Sequence, residues 1–194
     1  MSLVPVFEIG VWNVWIFMLY YILTLPAMRL ISKAALQKSD VEAPKHLYSN
    51  TEKRIVSFYQ NSFILMFLYS IFLPLKLGTS WFYIGLPICL IGLILFTISF
   101  FNFTTTPLGE PLNQGLYRYS RHPVYITQTL LFIGVGIASA SWIFLLFTVL
   151  RTIASFKLMP AEERFCLEKY GDAYREYMNK TTRWIGIPKS GKLK

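Results

Sequence analysis

The run Gly115-Leu116-Tyr117-Arg118-Tyr119-Ser120-Arg121-His122-Pro123-Val124-Tyr125 sets two basic, hydrogen-bonding side chains directly in front of a proline and a long apolar stretch. Proline is favoured at the first helical position, where its missing N–H would be unpaired in any case, so a helix is expected to begin at Pro123. The free backbone N–H groups of that first turn point back out of the helix, and the helix dipole adds partial positive charge there. With Arg121 and His122 beside them, these donors can hold a small anion such as a carboxylate or a phosphate. The same residues admit a plainer reading, in which Arg121 snorkels to lipid phosphates and His122 only caps the helix.

A second cluster, Met159-Pro160-Ala161-Glu162-Glu163-Arg164, again reads as a proline-led helix start with acids in the first turn, ending at Gly171. Helix electrostatics alone would place acids at such a position, so Glu162 and Glu163 are open to a structural or a chemical role. A short helix over 172–179 is expected after Gly171, with Ala173, Tyr174, Tyr177 and Met178 at helical spacing.

The elements that must position these clusters lie in a membrane. Of the 194 residues, 54% are hydrophobic and 15% charged, a balance too apolar for a soluble domain. Residues 9–28, 55–75, 80–103 and 123–158 are nearly free of charge, and the last is long enough for a hairpin turning at Ala138-Ser139-Ala140-Ser141. A span takes roughly 20 apolar residues, so the fold class is all-α and polytopic, with five spans at 9–28, 55–75, 80–103, 123–138 and 141–158. A helical tail over 159–194 completes one membrane domain, 1–194.

Basic residues concentrate in the loop after the first span, the loop after the third and the tail, which puts the N-terminus outside and the C-terminus in the cytoplasm. No basic n-region or clean cleavage site precedes the first apolar segment, so it is expected to be retained. Retention beside an anionic leaflet accounts for the net charge of +9, and no nucleic-acid partner is expected. Cys89 and Cys166 lack metal spacing and fall on different sides of the interface, and His46 and His122 are far apart, so no metal site is expected. Ser49-Asn50-Thr51-Glu52 can cap the second span's helix. Gly85, Gly92 and Gly134-x-Gly136 permit close helix approach, within one chain or between two, so the oligomeric state stays open.

Taken together, Gly115-x-Tyr117-x-x-x-Arg121-His122-Pro123-x-Tyr125, then Glu162-Glu163 with Tyr170-Gly171-x-x-Tyr174-x-x-Tyr177, then Ile187-Pro188, resembles the integral membrane methyltransferases. The pattern is similar to the isoprenylcysteine carboxyl methyltransferases, with the phospholipid N-methyltransferases as near relatives, and covers the chain from about residue 102 onward. The resemblance implies methyl transfer from S-adenosylmethionine, with S-adenosylhomocysteine as product, to a lipophilic acceptor from the bilayer such as the carboxylate of a prenylated cysteine. It implies a cofactor-binding set of Leu116, Tyr117, Arg121, His122, Pro123, Tyr125, Glu162 and Glu163. Members of the family carry an arginine a turn or so before the acidic pair to hold the substrate carboxylate. Here that neighbourhood reads Ala154-Ser155-Phe156-Lys157-Leu158-Met159, with Lys157 as the nearest cation and Arg151 about two turns earlier. Glu163, Arg151 and Lys157 are therefore the implied catalytic set, Glu163 serving as base if the acceptor is an amine.

Other classes fit less well. An NADPH-linked membrane reductase, which can share an Arg-His-Pro segment, would bring more cations for the adenosine phosphate and more spans, and no Rossmann glycine signature is present. A transporter would line its spans with polar groups, whereas here Arg151, with Lys157 at the end of the last span, stands among scattered Ser, Thr and Asn. A membrane scaffold whose tail docks a partner remains the plainest alternative.

Overall fold

The computed structural model describes residues 8–31, 48–107 and 111–188. Most of the basic loop after the first span, including His46, and Leu108-Gly109-Glu110 lie outside the described residues. Among those described, the fold is all-helical: α1 Trp15–Ile31, α2 Asn50–Ile71, α3 Ser80–Thr105, a 3₁₀ turn Gly115–Arg118, α4 Pro123–Ala138, α5 Trp142–Tyr170 and α6 Asp172–Lys180. Two of these, α3 and α5, are long and apolar enough to cross a membrane, and Trp15–Thr24 and α4 are shorter apolar helices. Large apolar side chains on the outer faces of α2, α3 and α5, such as Leu65, Ile91, Ile94, Leu146 and Val149, are about half exposed. A surface of that kind suits lipid better than water.

Helix α2 starts where Ser49 places it. The Ser49 hydroxyl accepts from the Glu52 N–H at 3.2 Å and the Glu52 carboxylate accepts from the Ser49 N–H at 2.8 Å, a complete capping box. The helix therefore begins five residues before the apolar run at 55 and ends at Ile71, short of 75. Pro74 explains the early end, because it has no N–H to continue the ladder. The open end is closed from elsewhere in the chain: residues 8–14, expected as the first turns of the first span, are not helical and pack across 71–75 instead. Asn13 donates its amide to the Ile71 carbonyl at 2.7 Å, and the N–H groups of Val14 and Leu75 bond the carbonyls of Leu73 and Trp12. The free carbonyls of one helix end thus fix where α1 begins.

Three glycines set α3 against α4. A Cβ on Gly85 would sit 2.2 Å from the Ala138 nitrogen, one on Gly92 2.4 Å from the Leu131 nitrogen, and one on Gly134 2.2 Å from the Cys89 nitrogen. Backbone meets backbone along the whole seam, and the close approach lies within one chain. Beside it Val14, Met18, Met66, Cys89, Phe132, Val135 and Phe144 form the core. Helix α4 turns into α5 at Ser139–Ser141, as the small polar residues indicate, with Ala140 at φ 50 and the Ser141 hydroxyl accepting from Phe144 N–H.

One expectation is corrected. The last span and the tail helix are a single helix, α5, with Pro160 inside it. A proline within a helix removes one donor, here the bond to the Phe156 carbonyl, and leaves the other turns intact. Burial of Leu158, Met159 and Ala161 holds those turns in place across the gap. Glu162 and Glu163 consequently stand in mid-helix, and the dipole of a helix start has no part in placing them. At 29 residues α5 is about 44 Å long, against roughly 30 Å of hydrocarbon, so its turns from Pro160 on extend past the apolar stretch 142–158. Gly171, at φ +55, separates α5 from α6 as expected.

Candidate active site

The junction ahead of α4 is held from behind by the chain's last described segment. Gly115, at φ +56, starts the 3₁₀ turn and leaves no room for a Cβ, which would lie 2.0 Å from the Asn102 amide nitrogen. Tyr117 is buried at the turn, and the Tyr177 hydroxyl of α6 donates to its carbonyl at 2.7 Å. Residues 181–186 then run beside 119–121, with Arg121 N–H bonded to the Thr182 carbonyl at 3.0 Å and Gly186 N–H to the Tyr119 carbonyl at 2.9 Å. The Ser120 hydroxyl accepts from His122 N–H at 3.0 Å and reaches the Arg183 carbonyl. His122 thereby takes its place before Pro123, the first residue of α4, and its ring makes no capping bond.

That ring instead bridges both acids of α5. His122 Nδ1 lies 3.3 Å from a Glu162 oxygen and Nε2 lies 3.3 Å from a Glu163 oxygen. Glu163 is the hub: Arg183 donates to it through both Nε at 2.9 Å and Nη2 at 2.6 Å, and Arg121 Nε stands 3.4 Å away. Glu162 is the more open carboxylate, its side chain about one third exposed, and the Tyr125 hydroxyl of α4 donates to it. The structure thus brings together Arg121, His122, Pro123, Tyr125, Glu162 and Glu163 from the sequence-predicted set, with Tyr117 buried one turn behind. Leu116 is half-buried on the 3₁₀ turn without a bond to the acids.

Two residues of the implied catalytic set lie apart from this cluster. Lys157 is exposed on α5 and has no ion pair or hydrogen bond with it among the described residues. Arg151 is buried inside the bundle, where its Nη1 donates to the Tyr59 carbonyl and to the Ser62 hydroxyl and its guanidinium lies 3.9 Å from the Tyr59 ring centre. Arg183, by contrast, was not singled out by its sequence. It sits in a basic tail whose charge membrane retention already explains, and its one cue is its place just ahead of Ile187-Pro188.

Burial alone would raise the Glu163 carboxyl, but hydrogen bonds from His122 and Arg183 and the charge of Arg121 outweigh it and hold the group at about 2. For His122 burial opposes the imidazolium, and the bonds and charges of Glu162 and Glu163 prevail, raising its pKa above the ordinary 6.5. A lowered acid stabilises the fold above its ordinary value and loses that contribution as pH falls through the folded value; a raised base stabilises below its ordinary value and loses it as pH rises. The thermal midpoint in detergent should therefore fall from the ordinary 4.5 of a glutamate toward about 2, and fall again as pH climbs above 6.5. Glu163→Gln should flatten the acid limb and His122→Gln the alkaline one; a profile unchanged in both variants would show that these groups are not coupled to folding.

The residues present fit S-adenosylmethionine. Arg121 is nine-tenths buried, and while its Nε faces Glu163 its Nη1 has no hydrogen-bond partner, which leaves a donor for a carboxylate beside the first turn of α4. Glu162 offers a partly open carboxylate to a cation. A separate cleft of about 590 Å³, lined by Pro111, Asn113, Arg118, Glu176, Tyr177 and Lys180 among others, holds none of the cluster's charges.

Residues 82–173 match the model of the phospholipid methyltransferase family. The chain fits a membrane methyltransferase of this type. The matched stretch runs from α3 through the first residues of α6 and contains both the Arg-His-Pro junction and the acidic pair, while Arg183 lies beyond it. No curated protein matches the chain.

Proposed function

We propose that the protein transfers a methyl group from S-adenosylmethionine to a lipophilic acceptor in the bilayer, and that the acceptor is the carboxylate of an isoprenylcysteine-like lipid. The observation that carries the first part is the cluster itself: a basic junction at a helix start, a buried arginine with a spare Nη1 donor and two acids of unequal exposure meet at one point. Bound there, S-adenosylmethionine supplies a methyl group on a sulfonium, a displacement that needs alignment rather than a metal or a covalent enzyme intermediate.

Each residue then has a separate task. Arg121 and the N–H groups of α4's first turn hold the cofactor carboxylate. Glu162, with its open oxygen, faces the cofactor's positive charge, and Tyr125 fixes its rotamer. Glu163 keeps Arg121, His122 and Arg183 in place. Held at about 2 and bonded on both oxygens, Glu163 is a poor base. A carboxylate acceptor needs no base, which favours it over an amine. The family match supports a second reading, a phospholipid amine, for which Glu162 would have to accept the proton.

Five spans, an outer N-terminus and a cytoplasmic site belong to the same proposal. They rest on the apolar runs and on the placing of the basic loops. The cofactor then enters from water and the acceptor from lipid.

The test uses the full chain in detergent. S-adenosylhomocysteine should raise the thermal midpoint and NADPH should not. Radiolabelled methyl should pass to an S-prenylated N-acetylcysteine in preference to phosphatidylethanolamine. Stabilisation by NADPH alone would select a reductase, and stabilisation by neither would select a scaffold.

A further inference from the structure

The segment that closes the site from behind ends in an outward-facing apolar patch. Ile185 is 74% exposed, Ile187 is 87% exposed, and Trp184 keeps 41% of its surface open. Apolar side chains clustered in the open mark a surface that something covers, and the place of this patch on α5 says what that is. The Trp184 ring meets the Phe156 ring edge to face, with the centres 4.1 Å apart. Phe156 ends a row, Leu146, Val149, Ile153 and Phe156, spaced three or four residues apart on one face of α5 and each about half exposed. That face is the one a crossing helix turns to lipid, so Trp184 carries the lipid-facing surface on from the end of the apolar stretch to Ile185 and Ile187.

Two further observations fix the level. Trp12, Trp81 and Trp142 are exposed at the other end of the bundle, where α3 and α5 begin and residues 8–14 cross 71–75, and Trp184 is the tryptophan at this end. Tryptophan gathers at both faces of a bilayer, where its ring is half in lipid and half in the head groups. Lys157, beside Phe156, is exposed at the same height and can reach head-group phosphates.

We infer that residues 184–187 are a lipid foot, which lies in the bilayer interface beside α5 and has the lipid surface as its partner. The inference rests on α5 crossing the bilayer and not on methyl transfer. Its consequence for the site follows from the residue before it. Arg183 donates to both oxygens of Glu163, which stands seven residues, or about 10 Å, beyond Phe156 along α5. Seating the foot in lipid therefore holds the guanidinium against Glu163, and one edge of the buried cluster is tied to the membrane.

The environment of the foot is read on the full chain in phosphatidylcholine nanodiscs with a bimane label on Ile187→Cys, the wild type with Cys89 and Cys166 being labelled in parallel as background. Lipid carrying a doxyl group near the head of its acyl chain should quench the label at least twofold, and aqueous iodide should quench it little. Asp172→Cys, in water at the start of α6, should show the reverse. Quenching by iodide alone would overturn the inference; quenching by neither would mean that protein, such as a second copy of the chain, covers the patch, and would overturn it too. The tie to the site has its own readout. Ile185→Asp combined with Ile187→Asp alters exposed positions only, and it should lower the thermal midpoint in nanodiscs by several degrees. In an Arg183→Gln background the same pair should lower it by less than half as much, because the foot acts through that arginine. Equal losses in the two backgrounds would break the link to Glu163. No readout here uses a bound cofactor, so a failure to bind S-adenosylhomocysteine would refute methyl transfer and leave the foot standing.

Discussion

Glu163→Ala is expected to cost about 3–5 kcal/mol of stability, the range for removing one partner of a buried ion pair and leaving the other charged. The cost falls chiefly on Arg121 and His122, which are about nine-tenths buried, because Arg183 is one third exposed and can return to water. The same change should weaken S-adenosylhomocysteine binding more than tenfold. Without Glu163, Arg121 is free to turn toward Glu162, and both the anion and the cation ends of the cofactor site are then spent on each other. Glu162→Gln separates the two effects: its side chain is more exposed, so stability should drop by about 1 kcal/mol or less while affinity still falls. Thermal unfolding and calorimetry in detergent read both quantities. A Glu163→Ala protein as stable as the wild type would mean that the hub is not a hub.

Gly134→Ala should destabilise the protein by about 3 kcal/mol or more, at the upper end of overpacking changes. The new methyl would lie 2.2 Å from the Cys89 nitrogen and 2.5 Å from its Cα, and a neighbouring helix backbone cannot turn aside as a side chain does. Alanine's better helix propensity returns at most about 1 kcal/mol. Gly136→Ala is the control two residues away. There the nearest atoms are the tip of the Leu145 side chain, at 2.6 Å, which can change rotamer, so the loss should be small or absent. Equal midpoints for Gly134→Ala and the wild type would show that the α3–α4 seam is looser than its atoms indicate.

Local signals that act through one residue were legible in the sequence. Pro123 starts a helix because the position has no use for an N–H, Ser49 and Glu52 cap one reciprocally, and the Ser139–Ser141 break interrupts an otherwise uniform apolar run. Pro160 was misleading for a physical reason: a proline costs nothing at a helix start and one hydrogen bond inside a helix, and the burial of Leu158, Met159 and Ala161 offsets that cost here. The acids of that segment stand beside the Arg-His-Pro junction, but in mid-helix and not in the first turn that was expected. Arg183 and the crossing of 8–14 over 71–75 depend on partners 20 or more residues away, and no periodicity encodes them.

The glycine seam also has a consequence for traffic. Where two helix backbones touch, no acyl or prenyl chain can part them, so the α3–α4 wall is shut to anything dissolved in the bilayer. The walls of a narrow cavity beside Arg151 come from α2, α4 and α5 instead. If the proposed lipid acceptor enters the bundle from the bilayer, it would have to pass between helices other than α3 and α4, and a bulky residue placed on the α5 side should then block methyl transfer.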